Sequence, residues 1–244
     1  MKFTTFICGI FIFAAVKAEY PADFPKCKNG DSTCLKNAAN EVVKKFYTGK
    51  REVNLVSFDP LRIKIFELER NPSSPVNVGF KFTNVELLGL KNMQVTLFDG
   101  LNADMKGRNH FEATVPEVTL KGDYDLEGNV LVLPIVGKGK SEIKMQNIQI
   151  KYSFEFAPYE KNGQTYVKIE RVKLELIPGK AHFYFGNLFN GDEALGASTN
   201  MFINENSADI TKEILPSITK SLSLLIQQLI NGFYQHRPYA ELFA

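Results

Sequence analysis

The stretch from Ser207 to Tyr234, SADITKEILPSITKSLSLLIQQLINGFY, sets the terms for the rest of the chain. Its apolar residues Ile210, Ile214, Ile218, Leu222, Leu225, Leu229 and Phe233 recur at the spacing of one helical face. A second row, Leu215, Leu224, Ile226 and Ile230, falls partly off that face, and the positions from Ser221 to Tyr234 carry no charge. A helix facing bulk water shows Lys and Glu on its outer side, so this one is expected to be covered around most of its circumference. At about 1.5 Å per residue it would span roughly 40 Å. Pro216 lacks an amide proton and is expected to kink or divide it near Leu215. The remaining chain has to supply what wraps this segment.

The first residues, MKFTTFICGIFIFAAVKA, place a lysine before an apolar run from Phe6 to Val16, with Val16 and Ala18 at the small positions that precede a cleavage point. This reads as a secretory signal peptide over residues 1–18, cut after Ala18, and the run is too short for the roughly 20 residues a bilayer span needs. Residues 19–244 are then expected to form one domain, secreted and extracellular. Removing the leader takes Lys2 and Lys17 from the 29 basic residues, leaving 27 against 27 acidic ones. A net charge of zero argues against nucleic-acid binding and against a polybasic membrane patch. Cys8 goes with the leader, so Cys27 and Cys34 remain, flanking the turn-forming Asn29, Gly30 and Asp31. In an oxidising pathway they are expected to pair, which stabilises the fold by roughly 2.5 kcal/mol in the chain-entropy picture.

After that loop, Leu35, Ala38, Ala39, Val42, Val43 and Phe46 have helical spacing, with Asp31, Ser32 or Thr33 as candidate caps and Gly49 as the stop. From Val53 to about Phe185 the period changes to two, as in Val76, Val78, Phe80 and Phe82. Turn signals fall at Asn71–Pro72, Asp99–Gly100, Glu127–Asn129 and Asn162–Gly163, so this middle is expected to be an antiparallel meander of long strands. Within Ile143–Phe156 the apolar set begins on odd numbers and finishes on even ones, and the same switch separates Val167 and Ile169 from Val172, Leu174 and Leu176. Either the residues change faces or a bulge resets the alternation, and bulged long strands make a strongly curved sheet. The expected class is therefore α+β, with a long C-terminal helix wrapped in a highly curved antiparallel sheet.

Chemical motifs do not accumulate. Gly137–Ser141, GKGKS, ends like a phosphate-binding loop, but Pro134 stands where such a loop needs a glycine, and the flanks read as strand. His110, His182 and His236 lie in unrelated contexts without zinc-ligand spacing. There is no Gly-x-Ser-x-Gly elbow, and Asp192 and Glu193, being adjacent, make a poor acid–base pair. No enzyme, metal or cofactor is expected.

Several runs together resemble the Takeout family of secreted insect proteins, which are related to haemolymph juvenile hormone-binding proteins. They are CKNGDSTC at 27–34, FDPLRI at 58–63, LPIVGKGKS at 133–141, HFYFGNLFNGDEALG at 182–196, FINEN at 202–206 and PYAELF at 238–243. Cys27 and Cys34 match the family's N-terminal disulfide, and the lack of a second cysteine pair favours the Takeout branch over the hormone-binding proteins proper. The resemblance implies an elongated apolar tunnel holding a hydrophobic ligand, such as a fatty acid, an isoprenoid or quinone-like lipid, or a juvenile hormone-like or pheromone-like molecule. Residues expected to line it are Phe80, Phe82, Phe154, Phe156, Leu174, Leu176, Ile218, Leu222, Leu225 and Leu229. A monomeric carrier is the resulting expectation. A lipid-transfer or signalling protein that engages a membrane or receptor, and an enzyme acting on a lipid ester, are the other readings.

Overall fold

The structure is a computed structural model that describes residues 20–244, so the leader at 1–18 and its cleavage point lie outside the described residues. Cys27 and Cys34 form the disulfide, across a sequence separation of seven. Directly after it, helix α1 (Ser32–Phe46) starts on Asp31, whose carboxylate accepts the Cys34 amide at 2.9 Å. The next segment departs from the expected period of two. Residues 51–53 form a short 3-10 turn around the buried Val53, and the first strand begins only at Leu61.

Seven strands follow: β1 (Leu61–Leu68), β2 (Val76–Leu88), β3 (Gln94–Asp99), β4 (Arg108–Val130), β5 (Leu133–Lys161), β6 (Gln164–Ile177) and β7 (Lys180–Phe185). All are antiparallel in one sheet, ordered β1-β2-β4-β5-β6, with β3 also on β4 and β7 also on β5. Two helices complete the chain, α2 (Glu193–Glu205) and α3 (Ser207–Tyr234). The Asn162–Gly163 turn joins β5 to β6 with both residues at positive φ, the geometry of a tight hairpin. Glu127–Asn129, expected as a turn, lies inside β4 and the chain reverses at Leu131–Val132 instead. Gly128 serves packing there, because a Cβ on it would overlap the Asn77 carbonyl oxygen of β2.

Both expected changes of alternation are present. In β6 the register against β5 slips between Glu170 and Lys173, at Arg171, whose φ is 48°. In β5 the change occurs at Asn147, φ 52°, where β4 and β5 keep register but change phase together across Pro116. A third irregularity, at Asn84 with φ 52°, separates Phe82 from Val85 in β2. Each reset keeps Val, Ile and Phe on the core side while bending the strand.

One transverse line interrupts every long strand. β2 ends opposite Thr119 and β3 resumes opposite Thr114, so the Gly89–Met93 break faces Pro116. Pro116 and Asn147 form the gap in the β4–β5 ladder, and the Pro178–Gly179 step between β6 and β7 lies beside it, with the Gly179 amide donating to the Gln146 carbonyl at 2.9 Å. Asp59 holds one end of this line: its buried carboxylate accepts the amides of Gly89 at 3.0 Å and Lys91 at 2.7 Å. The core divides accordingly. One cluster joins Val78, Phe82, Tyr124, Leu126, Phe185, Ile203 and Ile210, a second joins Tyr152, Phe154, Phe156, Val167, Ile169 and Tyr234, and a small group around Val115, Val118 and Ile148 sits between.

The helices dock on free strand edges through carboxamides. Asn40 of α1 exchanges two hydrogen bonds with the Val95 backbone of β3, both at 2.9 Å. On α2, Asn200 and Asn204 treat Phe185 and Phe183 of β7 in the same way. On α3, Asn231 accepts the Ile169 amide at 2.7 Å and Gln227 donates to the Ile169 carbonyl at 2.9 Å. A primary amide carries a donor and an acceptor side by side, so it substitutes for the missing neighbour strand.

Candidate functional site

Helix α3 runs as one element through Pro216, at the cost of the backbone bond that an amide proton there would make. It is covered less than its sequence suggests. Only Ile210 and Tyr234 are fully buried, Leu224 is 54 % exposed, and the other Ile, Leu and Phe residues of the helix are half-buried. The uncharged residues near its end have a different explanation from full burial: Gln227 and Asn231 are engaged with β6.

The helix packs on β6 and β7 on one side and touches β2 on the other, more extensively than it meets β4 and β5, which lie between those strands in the sheet. A helix that reaches strands three places apart bridges a trough. Its first half belongs to the first core cluster through Ile210 and Ile214, and its second half to the second through Leu222, Ile226, Ile230, Phe233 and Tyr234. Between these lies the level of Pro216, where a cleft of 760 Å3 is bounded by Leu174, Leu176, Pro178, Gly179 and Ala181 from the sheet and Ala208, Thr211, Leu215, Pro216 and Thr219 from α3. Such a volume falls within the roughly 300–1,000 Å3 of small-molecule sites. The transverse break in the sheet runs out at this cleft, since Pro178 and Gly179 are part of both.

Of the ten residues expected to line an interior, Leu174 and Leu176 are on the cleft wall. Phe82, Phe154 and Phe156 are buried in the core clusters; Phe80 packs on the first cluster and Leu222 on the second. Phe80 and Phe82 stack at 5.3 Å, and Phe156 meets Tyr234 at 5.2 Å and Tyr239 at 5.3 Å edge-on. Ile218, Leu225 and Leu229 are half-buried and belong to neither large cluster. The cleft also contains residues that the sequence did not single out. Lys180, Lys212 and Thr211 look like ordinary surface residues in the sequence, and only the meeting of the β6–β7 step with α3 brings them to one place.

Electrostatically the interior disfavours charge. Burial pushes the Tyr124 phenol up to about 12, while its hydroxyl donates to the Gly186 carbonyl at 2.7 Å. Burial likewise raises Tyr152, Tyr234 and Tyr239 well above the usual phenol range. The Tyr152 hydroxyl is buried without a hydrogen-bond partner, and so is the Thr211 hydroxyl at the cleft. Gly137–Ser141 lies within β5, where Lys138 and Lys140 point outward to Asp125 and Asp123. His110, His182 and His236 are all exposed, and no group of three or more metal-binding side chains occurs among the described residues. No helix among the described residues is long and apolar enough to cross a membrane.

The pattern of the haemolymph juvenile hormone binding protein family matches residues 6–244. The chain belongs to that family. Among relatives of this juvenile hormone binding protein family member are circadian clock-controlled protein daywake of Drosophila melanogaster, 26 % identical over 230 residues that make up 92 % of this chain and 88 % of the relative. Daywake of Drosophila yakuba is 25 % identical over the same shares. The crystal structure of Epiphyas postvittana Takeout 1 superposes with a TM-score of 0.77 at 24 % identity, covering 89 % of this chain and 98 % of Takeout 1. The likeness shows a shared fold: an antiparallel sheet with a long C-terminal helix packed against it.

Proposed function

We propose that this chain is a secreted carrier that holds a small elongated hydrophobic molecule in an apolar tunnel between α3 and the sheet. The observation that carries the reading is the incomplete burial of α3. Ile218, Leu225 and Leu229 form part of an apolar stripe on a helix that bridges a trough, beside a cleft of 760 Å3. Apolar surface left uncovered in this position is stabilised by any lipid that fills it, at roughly 0.8 kcal/mol for each buried methylene. A long alkyl or prenyl chain would gain on the order of 10 kcal/mol gross before ordering costs are subtracted. Phe80, Phe82, Phe154, Phe156, Leu174, Leu176, Ile218, Leu222, Leu225 and Leu229 are the proposed lining, with the cleft as its opening.

Membership of a haemolymph binding-protein family, the Cys27–Cys34 disulfide and the leader-like residues 1–18 support secretion. The same membership supports binding without catalysis; the proposed carrier is a single domain over residues 19–244 that acts as a monomer. The test is to purify the protein without added ligand, extract it with organic solvent and analyse the extract by mass spectrometry. A host lipid at a stoichiometric level is expected. An empty extract from folded protein, together with no uptake of added lipid, would remove the carrier reading.

A further inference from the structure

The cleft carries charge at its rim as well as apolar surface at its wall. Lys180 begins β7, Lys212 sits in the second turn of α3, and both border the space lined by Leu174, Leu176, Ala181 and Leu215. Most lysines on the outer faces of β4 and β5 have partners: Lys121 and Lys144 share Glu142, and Lys138 pairs with Asp125. Among the described residues the side-chain amines of Lys180 and Lys212 make no ion pair or hydrogen bond. Between these elements the Thr211 hydroxyl is buried with no partner. A buried hydroxyl left without a partner is destabilising, and a ligand oxygen at this place would offset that.

We propose that the cleft is a head-group site for a long-chain carboxylate, with the carboxylate between Lys180 and Lys212 and accepting a hydrogen bond from the Thr211 hydroxyl. The inference rests on the carrier reading and narrows it, since an apolar tunnel alone would take an acid, its ester or its alcohol equally. Glu175 also borders the cleft, so the rim has two positive charges and one negative. One net positive charge matches a monoanion better than a phosphate ester. Partial shielding by the apolar wall makes each charge-assisted bond stronger than it would be in open water.

The chemistry is common to fatty acids and isoprenoid acids, so palmitate and retinoate are compared, each against its own methyl ester. Binding is read from displacement of a neutral fluorescent naphthylamine from delipidated protein at pH 8. Each acid is expected to bind about tenfold more tightly than its ester, a difference that one well-placed charged contact supplies. The Lys180→Gln/Lys212→Gln variant should lose that preference while keeping the ester affinity. Thr211→Val should lose about a third to a half of the logarithm of the preference, consistent with a single hydrogen bond. Glu175→Gln should tighten the acids and leave the esters alone.

Equal affinity of acid and ester in the unsubstituted protein would overturn the head-group site and leave the carrier intact. An unchanged acid-to-ester ratio in the double lysine variant would do the same. Tighter binding of lysophosphatidate than of palmitate would overturn the assignment to a carboxylate. If acid and ester both fail to displace the probe and to bind directly, the carrier reading falls and the head-group site falls with it.

Discussion

Tyr152 is 5 % exposed, and its hydroxyl is buried without a partner beside Leu174, its neighbour across the β5–β6 ladder. A tyrosine is usually kept in a core because its hydroxyl reaches something. In lipid-free protein Tyr152→Phe should therefore raise stability by about 1 kcal/mol, because it removes a desolvated group that makes no bond. For a chain of this length that is a rise of roughly 2–4 °C in Tm, read by calorimetry. A fall of the same size would show that the hydroxyl has a partner. At this scale the sequence is only partly informative. Phe82, Phe154 and Phe156 are legible as buried, because alternation assigns a face to every strand residue once one face is apolar. Asp59, Thr211 and Tyr152 are not, since a polar side chain is identified by what it meets, and its partners lie far along the chain.

The three helices attach to the sheet by the same device, and it works at the level of the element. Asn204 replaces a neighbouring strand at Phe183, with its carboxamide accepting the amide at 2.8 Å and donating to the carbonyl at 2.8 Å. Asn204→Ala leaves both backbone groups of an edge strand unpaired beneath a helix, which should destabilise the fold by about 2 kcal/mol. Urea unfolding measures the loss, and amide hydrogen exchange should quicken at Phe183 while Val115 stays protected. Uniform acceleration of both would mean that α2 is not an independent clamp. The limits of α3 and the phase changes at Asn147 and Arg171 were readable from periodicity alone, because both are local properties of spacing. The carboxamide docking was not. In one dimension Asn200, Asn204, Gln227 and Asn231 carry no sign of the strand edges they meet, and an uncharged Gln227 and Asn231 near the end of α3 read as cover, which is why the expected helix is more completely enclosed than α3 is. Glu127–Asn129 reads as a turn in the sequence for a related reason: Gly128 is needed where β2 approaches, and close approach by a strand distant in sequence has no local signature.

At the scale of the whole molecule, a curved sheet followed from bulged long strands, but the transverse line that divides the core did not. That line is assembled from Gly89–Met93, Pro116, Asn147 and Pro178–Gly179, four short stretches that align only after the strands pair. It leaves two aromatic-rich clusters joined by a small one, and this arrangement predicts a particular response to alkali. Tyr124 titrates at about 12 in the folded protein, and burial raises Tyr152, Tyr234 and Tyr239 too. Because these folded values exceed the unfolded one of about 10, the folded state keeps protons that the unfolded chain releases. The associated stability is complete below pH 10 and is lost as pH rises through the folded values, by up to about 1.4 kcal/mol per pH unit for each tyrosine. Tyrosinate absorbance from these buried phenols should therefore rise in a steep step that coincides with loss of far-ultraviolet circular dichroism. Filling the interior with lipid should move that step to higher pH, because a ligand bound only to the folded state adds its binding free energy to the unfolding equilibrium. If all nine tyrosines ionised in one smooth curve while the circular dichroism held, water would have free access to both clusters. The space beneath α3 would then be too wet to retain an apolar chain.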